Sequence, residues 1–151
     1  MCQTIDSQPS FKQLEKAKQG DHFDWQALKS QIKFDQDGLI PAIAQQFDTK
    51  EVLMMAWMNM KSLEETLATG RVCYWSRSRK NYWRKGEESG QVQLLKSLAF
   101  DCDGDTILLS VDQTGPACHS GRRSCFYTAV QGSDVEITSN PLIDPSELYK
   151  K

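Results

Sequence analysis

The chain has 151 residues, of which 39% are hydrophobic and 25% charged, as expected for one soluble globular domain with a hydrophobic core. Its formal net charge of −2 argues against a protein that binds nucleic acid or an anionic membrane through its overall field. The chain has no apolar run long enough to span a bilayer, and its first 21 residues lack the apolar stretch of a signal peptide. With five cysteines, an odd number, we expect a cytoplasmic protein whose thiols stay reduced.

Residues 1–30 are polar and poor in β-branched side chains, and we interpret them as an N-terminal appendage. A short helix with an acidic first turn is predicted within residues 21–28. Three apolar side chains are expected to dock this segment on the domain: Phe23, Trp25 and Leu28. Beyond it, Asp37-Gly38 is typical of a hairpin turn and precedes an apolar run.

The region up to residue 135 is predicted to be one compact domain of short strands with few helices, mainly β or α+β. Strands are predicted at residues 51–58, 72–76, 91–95, 106–111 and 124–130. A helix after the first of these is predicted to have Ser62 as its N-cap and Glu65 at the capping-box position, and to end at Gly70. Residues 136–151 are interpreted as a C-terminal tail, expected to be loose from residue 140.

Three of the five cysteines and one of the two histidines fall within residues 101–125. Cys118 and Cys125 are too far apart in sequence for the close pair of a zinc finger, but with Cys102 they provide three thiolates. Three protein ligands and an open position are typical of a catalytic zinc ion. A buried apolar role suits any one of these cysteines alone, whereas the three together favour a metal. Cys73, between apolar neighbours, is expected in the core.

The pattern Asp101-Cys102-Asp103-Gly104-Asp105 would place three carboxylates on one face of an extended backbone. A hard divalent cation relieves their mutual repulsion, and Mg²⁺ prefers such oxygen ligands. A solvated acidic turn is the other interpretation. An EF-hand fits poorly, because the glycine is at the fourth position and a hydrophobic strand follows. His119 has two interpretations, a metal ligand or a base beside the metal-bound water.

Residues 71–85 contain six Arg or Lys and no acidic residue. Arg77 and Arg79 alternate with Ser76 and Ser78, and this mixture of guanidinium and hydroxyl groups suits phosphate oxygens. Aromatic side chains in the same stretch could stack on a base, as they do in single-stranded nucleic-acid grooves. The alternative is a solvated basic face whose aromatic residues belong to the core.

Taken in order, six segments of the chain closely resemble the phosphoribosyl-AMP cyclohydrolase family of histidine biosynthesis. They are EVLMMAWMN (51–59), YWSRSR (74–79), WRKGEESG (83–90), DCDGD (101–105), PACH (116–119) and SCF (124–126). The resemblance covers about residues 32–130, so that residues 31–135 are expected to form the cyclohydrolase domain. Glu88 stands where the family usually has Thr, which leaves the role of this residue open.

The resemblance implies that water breaks the adenine N1–C6 bond of phosphoribosyl-AMP and yields a formimino aminoimidazole carboxamide ribonucleotide. It implies one Zn²⁺ per subunit on Cys102, Cys118 and Cys125, and Mg²⁺ on Asp101, Asp103 and Asp105. It also implies an intertwined homodimer whose zinc site takes Cys102 from one subunit and the other two cysteines from its partner. His119 is the expected catalytic residue. The expected substrate-binding residues are Ser76, Arg77, Ser78, Arg79, Trp83, Lys85, Gly86, Ser89 and Gly90.

Two other functions use similar residues. A zinc-stabilised nucleic-acid-binding module would also contain cysteines, arginines and aromatic residues, but it predicts a basic chain with a closed set of four ligands. The sequence pI near 5.7 and the open ligand set argue against it. A zinc hydrolase of a different nucleotide is disfavoured by the order of the motifs, although spacing alone does not exclude it. We therefore expect a small nucleotide as the substrate, and no nucleic acid or membrane as a partner.

Overall fold

The structure is a computed structural model that describes residues 9–148, so the outer ends of the appendage and of the tail lie outside the described residues. The strands are β1 (Ile40–Gln46), β2 (Val52–Met58), β3 (Cys73–Ser76), β4 (Asn81–Arg84), β5 (Gln93–Phe100), β6 (Ile107–Gln113), β7 (Thr128–Gln131) and β8 (Asp134–Ile137). The helices are α1 (Phe11–Leu14), α2 (Trp25–Leu28), α3 (Met60–Thr69) and α4 (Pro145–Leu148), with a 3₁₀ turn at Lys29–Gln31. Strands dominate, as predicted for a mainly β or α+β domain.

Six strands form one sheet in the order β4-β3-β2-β1-β6-β5. β1 and β6 are parallel, and the other neighbours are antiparallel. The sheet curls, because Arg71 beside β3 bridges Leu94 of β5 and the amide of Val72 donates to the carbonyl of Gln93 at 3.1 Å. β7 and β8 form a separate two-stranded hairpin.

The core lies on the inner face of the curled sheet. β1 alternates between buried and half-buried residues, and its Ile40 and Ala42 are fully buried. β6 contributes Ile107 and Leu109 with the same period of two. Burying each Ile or Leu side chain contributes roughly 1.5–3 kcal/mol. Cys73 is also fully buried, as predicted, and burial raises the pKa of its thiol to about 12.

Helix α3 ends at Gly70 as predicted, since this glycine adopts the left-handed conformation at φ +77°. The prediction of Ser62 as N-cap is wrong, because the helix begins after Asn59. The Asn59 side chain accepts from the amide of Ser62 at 2.8 Å, and the Ser62 hydroxyl accepts from the amide of Asn59 at 2.9 Å. Ser62 is therefore the third helical residue of a reciprocal capping box.

The N-terminal segment docks through a different set of aromatic residues from the one predicted. A helix forms where predicted but without an acidic first turn, because Asp24 is its N-cap and accepts from the amide of Ala27 at 3.0 Å. Trp25 of this helix stacks on Phe100 with 6.0 Å between ring centroids. Leu28 packs against the core as expected, but Phe23 precedes the helix and stays 39% exposed. Phe11, which was not among the predicted docking residues, is buried instead.

Three connecting segments differ from their predictions. The turn before β1 exists, with the Asp35 carboxylate accepting from the amides of Asp37 and Leu39, but no strand between residue 9 and this turn pairs with β1 to make a hairpin. The last predicted strand begins only at Thr128. The residues before it hydrogen-bond to β2 instead, through the Ser124 hydroxyl and the Cys125 amide. The tail is not loose throughout, since the amide of Leu142 donates to the carbonyl of Gly121 at 2.8 Å.

No helix within residues 9–148 is both long and apolar enough to cross a membrane.

Candidate active site

Two adjoining clefts open on one side of the sheet. The larger cleft, of about 580 Å³, is bounded by residues 79–89 and by His119 and Cys125. The second, of about 500 Å³, is bounded by Ser76, Arg77 and Ser78 with neighbouring tryptophans. Met55 and Trp83 line both clefts and form the wall between them. A ligand with two anionic ends could therefore occupy both clefts at once.

The predicted substrate-binding residues divide between these clefts. The larger cleft contains Arg79, Trp83, Lys85, Gly86 and Ser89. The smaller cleft contains Ser76, Arg77, Ser78 and Trp83. Gly90 follows the loop but lines neither cleft. Most of the predicted set is thus brought together, although not around one point.

The basic segment folds as the β3–β4 hairpin, with Arg77 and Arg79 at the turn. The Arg77 guanidinium lies 4.5 Å from the Trp57 ring centroid, and that of Arg79 lies 6.0 Å from Trp83. Tyr74 is fully buried and its hydroxyl donates to Gln93 Oε1 at 2.7 Å, so its ring cannot stack on a base. This hairpin therefore has a buried aromatic side that belongs to the core and a basic turn that borders the clefts.

A loop between β6 and β7 carries Cys118, His119 and Cys125, and we call residues 114–125 the cysteine loop. Two backbone hydrogen bonds fold it back on itself, from Ala117 to the Arg123 carbonyl at 3.0 Å and from Cys118 to the Arg122 carbonyl at 3.1 Å. The amide of Cys125 donates to the Leu53 carbonyl of β2 at 2.7 Å. These contacts bring together two cysteines that are seven positions apart in the sequence.

The two thiols of the cysteine loop influence each other's protonation. Burial alone would raise the pKa of the Cys118 thiol. The Ser120 hydroxyl and amide donate to its sulfur at 3.1 and 3.4 Å, and the Cys125 thiol also hydrogen-bonds to it. Together these hydrogen bonds lower the pKa of Cys118. Burial and the charge of Cys118 raise the pKa of Cys125 to about 12. Of the two thiols, Cys118 therefore loses its proton more readily than Cys125.

Lys85 lies beneath this pair rather than at the exposed rim. Its side chain is 7% exposed, and Nζ donates to the carbonyl of Ala117 at 2.9 Å. Burial lowers the pKa of the Lys85 ammonium, while Cys125 and Cys118 oppose that shift. A buried cation thus faces the two sulfur atoms and fastens the cysteine loop to β4. The lysine borders the larger cleft, and its contact with substrate stays a prediction.

Arg123 binds the cysteine loop from its other side, a role that no motif in the sequence predicts. Its guanidinium donates to the carbonyls of Gln113 and Gly115 at 2.8 and 2.6 Å and to Gln46 Oε1 at 2.8 Å. The same Gln46 oxygen accepts from the amide of Gln113 at 2.9 Å. The loop is therefore tied to β1 and β6 by charge-assisted hydrogen bonds.

The remaining predicted metal ligands lie in the turn between β5 and β6, and we call residues 101–106 the aspartate turn. The amide of Asp101 donates to the Thr106 carbonyl, and the amide of Gly104 donates to the Asp101 carbonyl, both at 3.0 Å. Gly104 adopts a left-handed conformation at φ +73°. The backbone is not extended, so the expected alternation of carboxylates with Cys102 is wrong. The backbone folds here because this segment closes a hairpin.

The aspartate turn is exposed to solvent. Asp101, Cys102, Asp103 and Asp105 are all exposed. The pKa of Asp105 is raised, chiefly because its carboxyl group shares a hydrogen bond with that of Asp101. Within residues 9–148 of a single chain, no three His, Cys, Asp or Glu side chains converge as a metal-binding group. The structure therefore brings Cys118 and Cys125 together and leaves Cys102 apart from them.

Comparison with known proteins assigns these residues to one family. A model of the family described as phosphoribosyl-AMP cyclohydrolase matches residues 54–127. The chain is 72% identical over 147 residues to a phosphoribosyl-AMP cyclohydrolase of Hydrogenovibrio crunogenus, which covers 97% of this chain and 100% of the relative. It is 62% identical over 139 residues to the phosphoribosyl-AMP cyclohydrolase of Halorhodospira halophila, an alignment that covers 92% of this chain and 98% of the relative. It is 61% identical over 141 residues to the phosphoribosyl-AMP cyclohydrolase of Alkalilimnicola ehrlichii, which covers 93% of this chain and 99% of the relative.

Proposed function

Because the chain belongs to the phosphoribosyl-AMP cyclohydrolase family, we propose that its larger cleft opens the adenine ring of phosphoribosyl-AMP with the help of a zinc ion. The chain is a hydrolase of histidine biosynthesis. The observation that carries the proposed mechanism is the position of the Cys118–Cys125 pair beside His119 at the cleft. The bond broken is adenine N1–C6, the reaction that the family resemblance implies.

The donor chemistry of the cysteine loop fits zinc. Cys118 and Cys125 are close enough to perturb each other's pKa, and a soft cation would favour the deprotonated form of both thiols by binding them. The buried ammonium of Lys85 compensates part of the negative charge of bound thiolates. When bound, zinc supplies a water molecule whose pKa is lowered toward neutrality.

The residues of the cleft then have separable roles. His119 is exposed at the cleft and is proposed to hold and transfer the proton that ring opening requires. Trp83 forms the wall between the clefts and offers a flat surface to a base. Arg79 and Arg77, one in each cleft, are proposed to bind the two phosphates of the substrate.

The third zinc ligand is proposed to be Cys102 of a second subunit in a homodimer. Two observations support this proposal. In one chain, Cys102 does not converge with the other two cysteines among the described residues. The β7–β8 hairpin also exposes apolar side chains that need a cover, because Val130 is 72% exposed and Val135 is 62% exposed. A two-fold dimer would have two such shared sites, with one zinc per subunit.

Mg²⁺ is proposed to bind the aspartate turn. The turn presents three carboxylates to solvent from Asp101, Asp103 and Asp105, and hard cations prefer oxygen ligands completed by water. Proximity of Asp101 and Asp105 supports this, since their carboxyl groups already interact.

A cytoplasmic location is proposed, since reduced thiols suit that compartment and Cys73, Cys102, Cys118 and Cys125 are all free.

A metal-exchange experiment tests the proposed function. Phosphoribosyl-AMP consumption is followed for the purified protein, for protein stripped with a zinc chelator, and for stripped protein given zinc alone, magnesium alone or both metals. We expect stripping to abolish turnover, and zinc with magnesium to restore it, while magnesium alone does not. Full turnover by protein that elemental analysis shows to be free of zinc would contradict the zinc mechanism. Tight oligonucleotide binding at physiological salt, without turnover, would favour a nucleic-acid-binding module instead.

A further inference from the structure

The aspartate turn is covered by an aromatic ring from the opposite end of the sequence. Phe11 of α1 lies directly on Gly104, and a Cβ atom at residue 104 would overlap the Cγ, Cδ2 and Cε2 atoms of that ring. Phe11 is 7% exposed, although the turn that it covers is otherwise exposed. Glycine at this position therefore serves two needs, the positive φ and the close approach of Phe11.

Further contacts from the same segment surround the turn. Phe100, the residue before Asp101, has its ring centroid 5.6 Å from that of Phe11 and 6.0 Å from that of Trp25. The amide of Lys33 donates to the carbonyl of Gly104 at 2.9 Å. The N-terminal segment thus contacts the chain on both sides of Cys102, at Phe100 and at Gly104.

Helix α1 is too short to be stable by itself, since isolated helices of one turn do not form in water. It is nevertheless well defined, because Ser10 and Gln13 make a reciprocal capping box with bonds of 3.1 and 3.0 Å. The capping box orients the first turn, and the apolar residue that this turn presents to the domain is Phe11. The docking energy comes from Phe11, which contacts Phe100 and Gly104, and from Leu14, which packs against the core away from Gly104.

We propose that residues 9–33 act as a clamp in which Phe11 is a positioning residue for the aspartate turn and hence for Cys102. Phe11 touches neither substrate nor metal in this scheme and acts through Gly104 and Phe100. The effect on turnover rests on the proposed function, in which Cys102 is a zinc ligand. The effect on the order of the turn does not depend on that function.

Hydrogen exchange of the purified protein tests the clamp directly. Phe11→Ala should raise exchange of the amides of residues 102–105 on the order of tenfold, because the turn loses its cover and opens locally more often. Leu14→Ala is the matched control, since Leu14 belongs to the same helix and packs against the core while the ring on Gly104 belongs to Phe11. Phe11→Leu should restore most of the protection, because leucine retains the Cγ and Cδ2 atoms that approach Gly104.

Zinc content and turnover provide the functional measurement. In Phe11→Ala we expect lower zinc occupancy at limiting zinc and a kcat that falls about tenfold, the range seen when a supporting partner of a metal ligand is lost. Phe11→Leu should recover both, and Leu14→Ala should keep both even where its melting temperature falls as far. A purely structural role would lower stability in both alanine variants and leave zinc occupancy unchanged.

Three results separate the possibilities. Equal exchange at residues 102–105 in Phe11→Ala and Leu14→Ala would overturn the clamp. Suppose that the wild type turns over phosphoribosyl-AMP and that Phe11→Ala exchanges faster at these residues but keeps the wild-type zinc occupancy and kcat. That result would overturn the positioning role. A wild type that hydrolyses no phosphoribosyl-AMP would contradict the proposed function, and the exchange comparison would still support or overturn the clamp.

Discussion

The cysteine loop and the aspartate turn carry the expected metal ligands but are built in opposite ways. The cysteine loop is fixed by polar side chains, with the partly buried Arg123 on one side and the buried Lys85 on the other, and its two thiols already interact. The aspartate turn has exposed ligands, and its order depends on an apolar ring from residue 11. One half of the proposed site is therefore preorganised within a chain, whereas the other half faces outward, as a contribution to a second chain would.

The largest expected effect comes from removing a thiol of the preorganised half. Cys125→Ser should abolish zinc binding, because it removes a metal ligand. Loss of a residue that only supports a ligand lowers activity roughly 10–100-fold, and we expect the turnover of Cys125→Ser to fall by more than that. Cys73→Ser is the matched control, because Cys73 is fully buried in the core and lines neither cleft. It should keep zinc and turnover. Wild-type zinc content in Cys125→Ser, measured by elemental analysis, would remove this cysteine from the site.

His119 tests whether the cysteine loop also supplies the proton-transfer group. His119→Ala should lower kcat roughly 10²–10⁴-fold, the usual contribution of a general acid–base residue, with zinc retained. Steady-state kinetics and metal analysis of the same preparation check this. Loss of zinc together with activity would instead identify His119 as a ligand, and undiminished kcat would exclude both roles.

Two adjacent arginines can show whether the hydrogen bonds of the cysteine loop matter for metal binding. Arg123→Ala should weaken zinc affinity roughly 10–100-fold, because three acceptors that fix the loop lose their donor. Arg122→Lys is the control, since it keeps the positive charge that acts on Cys118, while the Arg122 guanidinium lies 4.0 Å from the Tyr127 ring centroid and donates to the Ser139 carbonyl. Competition with a coloured zinc chelator measures both. Equal affinities in the two variants would contradict preorganisation of the loop by Arg123.

The smallest expected effect concerns the exposed half. Asp103→Asn should raise the magnesium concentration needed for half-maximal activity several-fold, because one of three carboxylates loses its charge. Asp48→Asn, an exposed carboxylate in another turn, should leave it unchanged. Titration of chelator-treated, zinc-loaded enzyme with magnesium measures the difference. An unchanged magnesium dependence in Asp103→Asn would remove the aspartate turn from magnesium binding.

The sequence predicted those features that depend on neighbouring residues. Helix α3 ends at Gly70 because only local backbone geometry is involved, and Cys73 lies in the core because its immediate neighbours are apolar. The motif order also identified the family, and with it the candidate ligands. The N-cap was misplaced at Ser62, since the same hydroxyl serves equally well at the third position of a capping box.

Features that depend on distant residues could not be predicted. The bond between Arg123 and Gln46 joins residues 77 positions apart, and Phe11 reaches Gly104 across most of the chain. Lys85 is predicted as a phosphate ligand by its basic neighbours, and its burial beneath the cysteines follows only from the packing of β4 on the cysteine loop. Charge and polarity in the sequence do not reveal such partners.

The division of the zinc site between two chains is tested most directly by complementation. Cys102→Ala and Cys125→Ala are inactive separately if both cysteines bind zinc, and they are then co-expressed. In a mixed two-fold dimer, one shared site collects both mutations and the other collects neither. The account predicts that random pairing returns about a quarter of wild-type activity, carried by that intact site. Absence of activity in a verified heterodimer would contradict it, because every site would then lack a ligand from its own chain.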